Sequence, residues 1–201
     1  MSSIRRRLMM QVANDQNALP AGCVRCEYLE STGEQYIETT YSPVQGDELF
    51  IDYILRGSGG SVGCSVFSAG KGSIQFCMII NTQSAWTRFW GTSGTPVGVI
   101  SIGTLYELRF YGDKYTINGE EFKNEVKEGI VGTNLFLFIR ANGKQPLIGC
   151  IGKVTARREG EDIMHLIPIL DPSGTPCMYD TVAKIYHYNK GTGQFAYKLL
   201  E

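Results

Sequence analysis

Histidine, tryptophan and proline are scarce in this 201-residue chain, with two, two and seven copies. The two histidines, His165 and His187, leave little equipment for proton transfer near neutral pH. No Gly-x-Ser-x-Gly elbow accompanies them, so a serine hydrolase triad lacks its nucleophile signature. His165 sits in an apolar run and His187 between Tyr186 and Tyr188, and both read as strand or packing residues. No apolar run approaches the ~20 residues of a membrane helix. The formal net charge is −1, which gives no overall field toward nucleic acid or an anionic membrane. The basic start, Ile4-Arg5-Arg6-Arg7, has no long apolar stretch behind it, so no secretion signal is read there. Synthesis in a reducing cytoplasm is expected, with the six scattered cysteines kept as thiols.

What the chain has in abundance is glycine, with 24 copies and no fixed period, which signals many turns. Hydrophobic residues make up 43% of the sequence, enough for one well-buried domain. Short alternating or apolar segments fall at residues 35–41, 48–55, 62–68, 74–80, 86–90, 97–102, 105–111, 114–118, 147–157 and 162–170. Leu49, Ile51 and Tyr53 share one face of the second, and Glu48, Phe50 and Asp52 the other. Residues 134–140 form a continuous apolar run, expected as a central strand buried on both faces. Asn118-Gly119 and Glu159-Gly160 are hairpin signals. The expected fold is all-β: two antiparallel sheets in a jelly-roll sandwich, with the first and last strands side by side.

Two parts are expected. Residues 1–22 read as an N-terminal arm and linker, and 23–201 as the sandwich. In the arm Arg5, Arg6 and Arg7 adjoin Leu8, Met9 and Met10. That pairing of charge with apolar surface suits anchoring to an acidic partner. A frayed terminus is the alternative.

Candidate chemistry is thin. Glu48 and Asp52 share a strand face, but Phe50 lies between them. A retaining glycosidase needs carboxyls about 5–5.5 Å apart, as residues two apart on a strand provide. Cys23-x-x-Cys26 has finger-like spacing without a second pair, and Asp113, Asp171 and Asp180 are isolated acids. No metal and no cofactor is expected. The Gly70-Lys71-Gly72-Ser73 stretch reads as a hairpin loop, since no P-loop spacing surrounds it. Trp86, Arg88 and Trp90 alternate on one strand face, with Asn81 and Gln83 just before them. They form either a glycan platform or part of the core.

Two end segments carry a resemblance. One is Tyr28-Leu29-Glu30-Ser31-Thr32-Gly33-Glu34-Gln35-Tyr36-Ile37-Glu38-Thr39. The other includes Asp171-Pro172-Ser173-Gly174, Cys177-Met178-Tyr179-Asp180, Tyr186-His187-Tyr188-Asn189 and Gly191-Thr192-Gly193-Gln194-Phe195. Together they resemble concanavalin-like (laminin-G-like) β-sandwich proteins of phages and prophages of gut bacteria, over roughly residues 25–198. The resemblance implies the same sandwich in a non-enzymatic virion surface protein: a capsid decoration, head-fibre or tail-fibre module. Its implied partners are capsid, portal or tail proteins, and further copies of itself, as in a trimer. A glycan-binding adhesin for host surface polysaccharide is the alternative, and a glucanase-like hydrolase a third reading.

Overall fold

The computed structural model describes residues 19–57, 63–70, 75–80, 100–123 and 131–200, and the backbone of strands at 85–89 and 95–96. Residues 1–18, which hold Arg5, Arg6, Arg7, Leu8, Met9 and Met10, lie outside the described residues. The strands are β1 (Val24–Thr32), β2 (Ile37–Glu38), β3 (Glu48–Leu55), β4 (Cys64–Ala69), β5 (Phe76–Ile80), β6 (Ala85–Phe89), β7 (Thr95–Pro96) and β8 (Leu105–Phe110). They continue with β9 (Lys114–Ile117), β10 (Glu120–Lys123), β11 (Phe136–Leu137), β12 (Ile148–Arg158), β13 (Glu161–Leu170), β14 (Pro176–Asp180), β15 (Ile185–His187) and β16 (Ala196–Leu199). No helix occurs among the described residues.

Two antiparallel sheets form a β-sandwich. The larger runs β10-β9-β8-β3-β12-β1-β13-β14-β15, with β16 added on β1, and the smaller runs β2-β11-β4-β5-β6-β7. Alternation explains how they face each other. Leu49, Ile51, Tyr53 and Leu55 of β3 are buried while the residues between them are half-buried. They meet Phe67, Ala69, Phe76, Met78 and Ile80 from the smaller sheet in one core. Phe76 touches Phe67 and Phe110 at centroid distances of 5.2 and 5.1 Å, which ties the sheets together through aromatic edges.

Hairpin chemistry fixes register where glycine follows a tolerant residue. Asn118 and Gly119 have φ of 50° and 85°, and Glu159 and Gly160 have 53° and 85°. Positive φ at both positions is what a type I′ turn requires. The turns join β9 to β10 and β12 to β13.

Three expectations need correction. The strand expected at 35–41 shrinks to Ile37–Glu38, while the long strand β1 precedes it. A bulge between Cys26 and Tyr28 breaks β1's alternation, so its buried positions are Cys26, Leu29 and Ser31. The apolar run at 134–140 keeps only two strand residues. Phe136–Leu137 does lie between β2 and β4, but Phe138 at φ 67° turns the chain away. At 97–102 the described residues 100–102 are not strand, and β7 lies just before them.

The first and last strands do pair, with Leu29 opposite Tyr197. Leu29 also faces Ile151 of β12, so β16 lies on the other edge of β1. β1 therefore enters between the diverging ends of β12 and β13, and β16 fills the gap instead of closing a sheet edge. On the outer side of β13 and β14 a small second cluster forms from Ile167, Ile169, Cys177 and Tyr179, covered by Leu19, Cys23 and Tyr186.

Candidate functional site

The face of the larger sheet turned away from the core carries the richest chemistry. Strand pairing sets its layout. Phe50 of β3 stands between Arg109 of β8 and Thr155 of β12, and Asp52 stands opposite Glu107. His165 of β13 extends the row beyond Thr155. These side chains come from four strands far apart in sequence.

Charge and aromatic surface alternate across this face. The Arg109 guanidinium lies 5.8 Å from the Phe50 ring centroid and that of Arg157 lies 5.2 Å from it, on the two neighbouring strands. Cation–π attraction holds both planes against the ring. Tyr111, 39% exposed, contacts Phe50 at 5.5 Å. Arg109 Nη1 forms an ion pair with Asp52 Oδ1 at 2.8 Å, and the guanidinium lies 3.4 Å from Glu107. Arg157 Nε donates to Asp162 at 2.6 Å.

Two adjoining depressions open here. One, about 340 Å³, is lined by Phe50, Asp52, Arg109, Tyr111, Lys153 and Arg157, among others. The second, about 500 Å³, shares Asp52, Arg109 and Lys153 and continues toward Arg25 and Tyr28. Lys153 reaches this face through a bulge. The register shifts between Ile151 and Val154, so Gly152 and Lys153 both lie between core-facing neighbours.

As expected, Glu48 and Asp52 share the face with Phe50 between them. Asp52 is committed to Arg109.

Of the other sequence candidates, only some fall within the described residues. Trp86 and Arg88 lie on β6, opposite Ile79 and Cys77 of β5. Asn81, Gln83 and Trp90 lie outside the described residues. His187 is packed and 5% exposed, and burial holds its pKa below the ordinary value. All six cysteines are thiols. Cys23 Sγ sits 3.5 Å from the Tyr186 hydroxyl, while Cys26 is buried within β1. Burial pushes the Cys26 thiol up to about 11, and burial together with Glu30 pushes Cys150 to about 12. Such thiols are inert at neutral pH. Among the described residues no group of three or more His, Cys, Asp or Glu is placed to hold a metal ion.

Sequence reasoning missed the open face as a unit. The alternation of Glu107, Arg109 and Tyr111 was legible, as was that of Phe50 and Asp52. Their meeting depends on which strands pair, and Lys153 depends on a bulge. No protein-family model matches the chain, and no curated protein does.

Proposed function

We propose that this chain is a non-enzymatic surface module of a phage particle, a β-sandwich knob carried by its N-terminal segment. The virion assignment rests on the resemblance of the two end segments. Their interlocking favours treating them as one signature: Thr192 and Lys190 donate to the carbonyl oxygens of Glu34 and Tyr36, and Asn189 accepts from Tyr36 N–H at 3.0 Å. The observation that favours display over turnover is the placement of the open-face acids Glu48 and Asp52. A retaining glucanase needs two carboxyls about 5–5.5 Å apart, and on this face Phe50 stands between Glu48 and Asp52.

In this reading residues 1–22 attach the sandwich to capsid, portal or tail proteins at the virion surface, after synthesis in the bacterial cytoplasm. Deleting residues 2–18, which precede the packed Leu19, should leave the far-UV spectrum and thermal midpoint of the sandwich unchanged and abolish incorporation into particles. Particles that still carry the truncated protein would contradict the anchoring role.

A second reading, a glycan-binding adhesin, is favoured by the open face itself. Sugar sites combine an exposed aromatic ring with ionic and amide groups that bond hydroxyls, and Tyr111, Arg109, Asp52 and Thr155 supply that mixture. The two readings are compatible, since a displayed knob can also hold a host polysaccharide. This reading proposes the open face as a glycan site in addition to the expected platform of Trp86, Arg88, Trp90, Asn81 and Gln83.

A further inference from the structure

We infer that the depression around Lys153 binds a carboxylated sugar, a hexuronate unit within an acidic polysaccharide. The inference rests on the glycan-binding reading and narrows its ligand class.

Charge decides the class. The smaller depression holds three cations, Arg109, Lys153 and Arg157, against two acids, Asp52 and Asp162. Arg109 is matched by Asp52 and by Glu107 at its edge, and Arg157 by Asp162. Lys153, half-buried, has no acidic side chain within ion-pairing distance among the described residues. Lys153 is therefore the cation of this depression still open to a counter-charge. An ammonium partly withdrawn from water gains most from a fixed counter-charge supplied by a ligand.

One unpaired cation fits one carboxylate. A phosphate group, nearly dianionic at neutral pH, calls for at least a second uncommitted donor of charge, and both arginines are occupied. The remaining features fit a pyranose ring. Tyr111 offers an exposed aromatic surface beside Phe50, and Thr155, Asp52 and Asp162 present oxygens able to bond ring hydroxyls. Lys153 lines both depressions, so a carboxylate held there leaves room on either side for neighbouring sugar units.

The bulge supports a dedicated placement. Regular alternation would give β12 a single outward residue between Ile151 and Val154, and the extra residue puts Lys153 on the open face beside Gly152. β1 carries its own bulge at Cys26/Tyr28, and the Glu27 carbonyl lies 3.5 Å from where a Gly152 Cβ would stand. Two bulges thus lie together beneath the lysine, a local arrangement that re-aims side chains at the expense of ladder bonds.

The test titrates the full-length protein with oligomers of polygalacturonate, alginate and hyaluronan. Carboxyl-reduced and neutral counterparts are run alongside, with the thermal midpoint recorded for every variant. At least one uronate series should bind, its carboxyl-reduced form about tenfold or more weaker. Lys153→Met should lose the uronate preference without shifting the midpoint, and Lys153→Arg should keep it. Equal binding of reduced and native oligomers, or an unaffected Lys153→Met protein, overturns the inference and leaves the glycan reading standing. Displacement of uronate by equimolar inorganic phosphate overturns the choice of carboxylate. No binding to any sugar, acidic or neutral, removes both. Because carboxyl reduction alters the ligand alone, the comparison holds even if a Lys153 variant folds poorly.

Discussion

Gln35 donates from Nε2 to the carbonyl oxygen of Thr192 at 3.1 Å, joining residues 157 positions apart. Gln35 is buried, and its Oε1 accepts from Thr32 N–H at 2.9 Å and from the Ser31 and Thr32 hydroxyls at 3.2 Å. Gly191 presses on the same loop: a Cβ there would overlap the Glu34 carbonyl oxygen. One amide thus satisfies a turn near the start of the sandwich and pins the segment that leads into its last strand.

Removing that amide should cost stability globally. Gln35→Ala strands several buried polar groups, for a loss of about 2 kcal/mol. Gly191→Ala should lose a similar amount, about 2 kcal/mol, because backbone must move to admit the methyl group. Urea unfolding by fluorescence checks both. Midpoints should fall at unchanged slope, and unaltered midpoints would mean the clasp is not part of the cooperative unit.

Tyr53 gives a prediction of the opposite sign. It is fully buried, stacks on Tyr106 at 5.5 Å, and its hydroxyl has no hydrogen-bond partner among the described residues. Burial pushes its pKa well above the ordinary value. Tyr53→Phe removes an unsatisfied hydroxyl and keeps the ring, so stability should rise by roughly 1 kcal/mol. A loss on the same urea assay would reveal that the hydroxyl is satisfied.

His187 sets a pH dependence. Burial, the leading cause, lowers its pKa below the ordinary ~6.5, outweighing the opposing pull of Asp180. The unfolded chain therefore binds the proton more readily than the folded one. Stability is retained above pH ~6.5 and drains away as pH falls below it. Unfolding free energy should decline from pH 7 to pH 5, and His187→Gln should flatten that decline. An equal slope in the variant would assign the effect to other groups.

How much of this was legible in the sequence depended on whether a residue's neighbour lies in sequence or across strands. β3 could be read at its true bounds because Leu49, Ile51 and Tyr53 alternate without interruption. Asn118-Gly119 and Glu159-Gly160 announced their hairpins because positive φ has few solutions. β1 was hidden by its bulge, and the run at 134–140 looked like a full strand because nothing local marks the reversal at Phe138. The candidate site was the least legible part. Phe50 meets Arg157 through a pairing that spans more than a hundred residues, and no local period encodes it. The tryptophan segment drew attention by composition, whereas the open face is assembled by register.

The most direct test of a displayed, catalytically inert binding knob is one NMR experiment. Spectra of isotope-labelled protein with acidic oligosaccharide would be recorded at mixing and again after a day. The account predicts amide shifts clustered on β3, β8 and β12 around Phe50, Asp52, Arg109 and Lys153, with the sugar signals unchanged over time. New reducing-end signals, or shifts confined to the β6–β7 region, would contradict it.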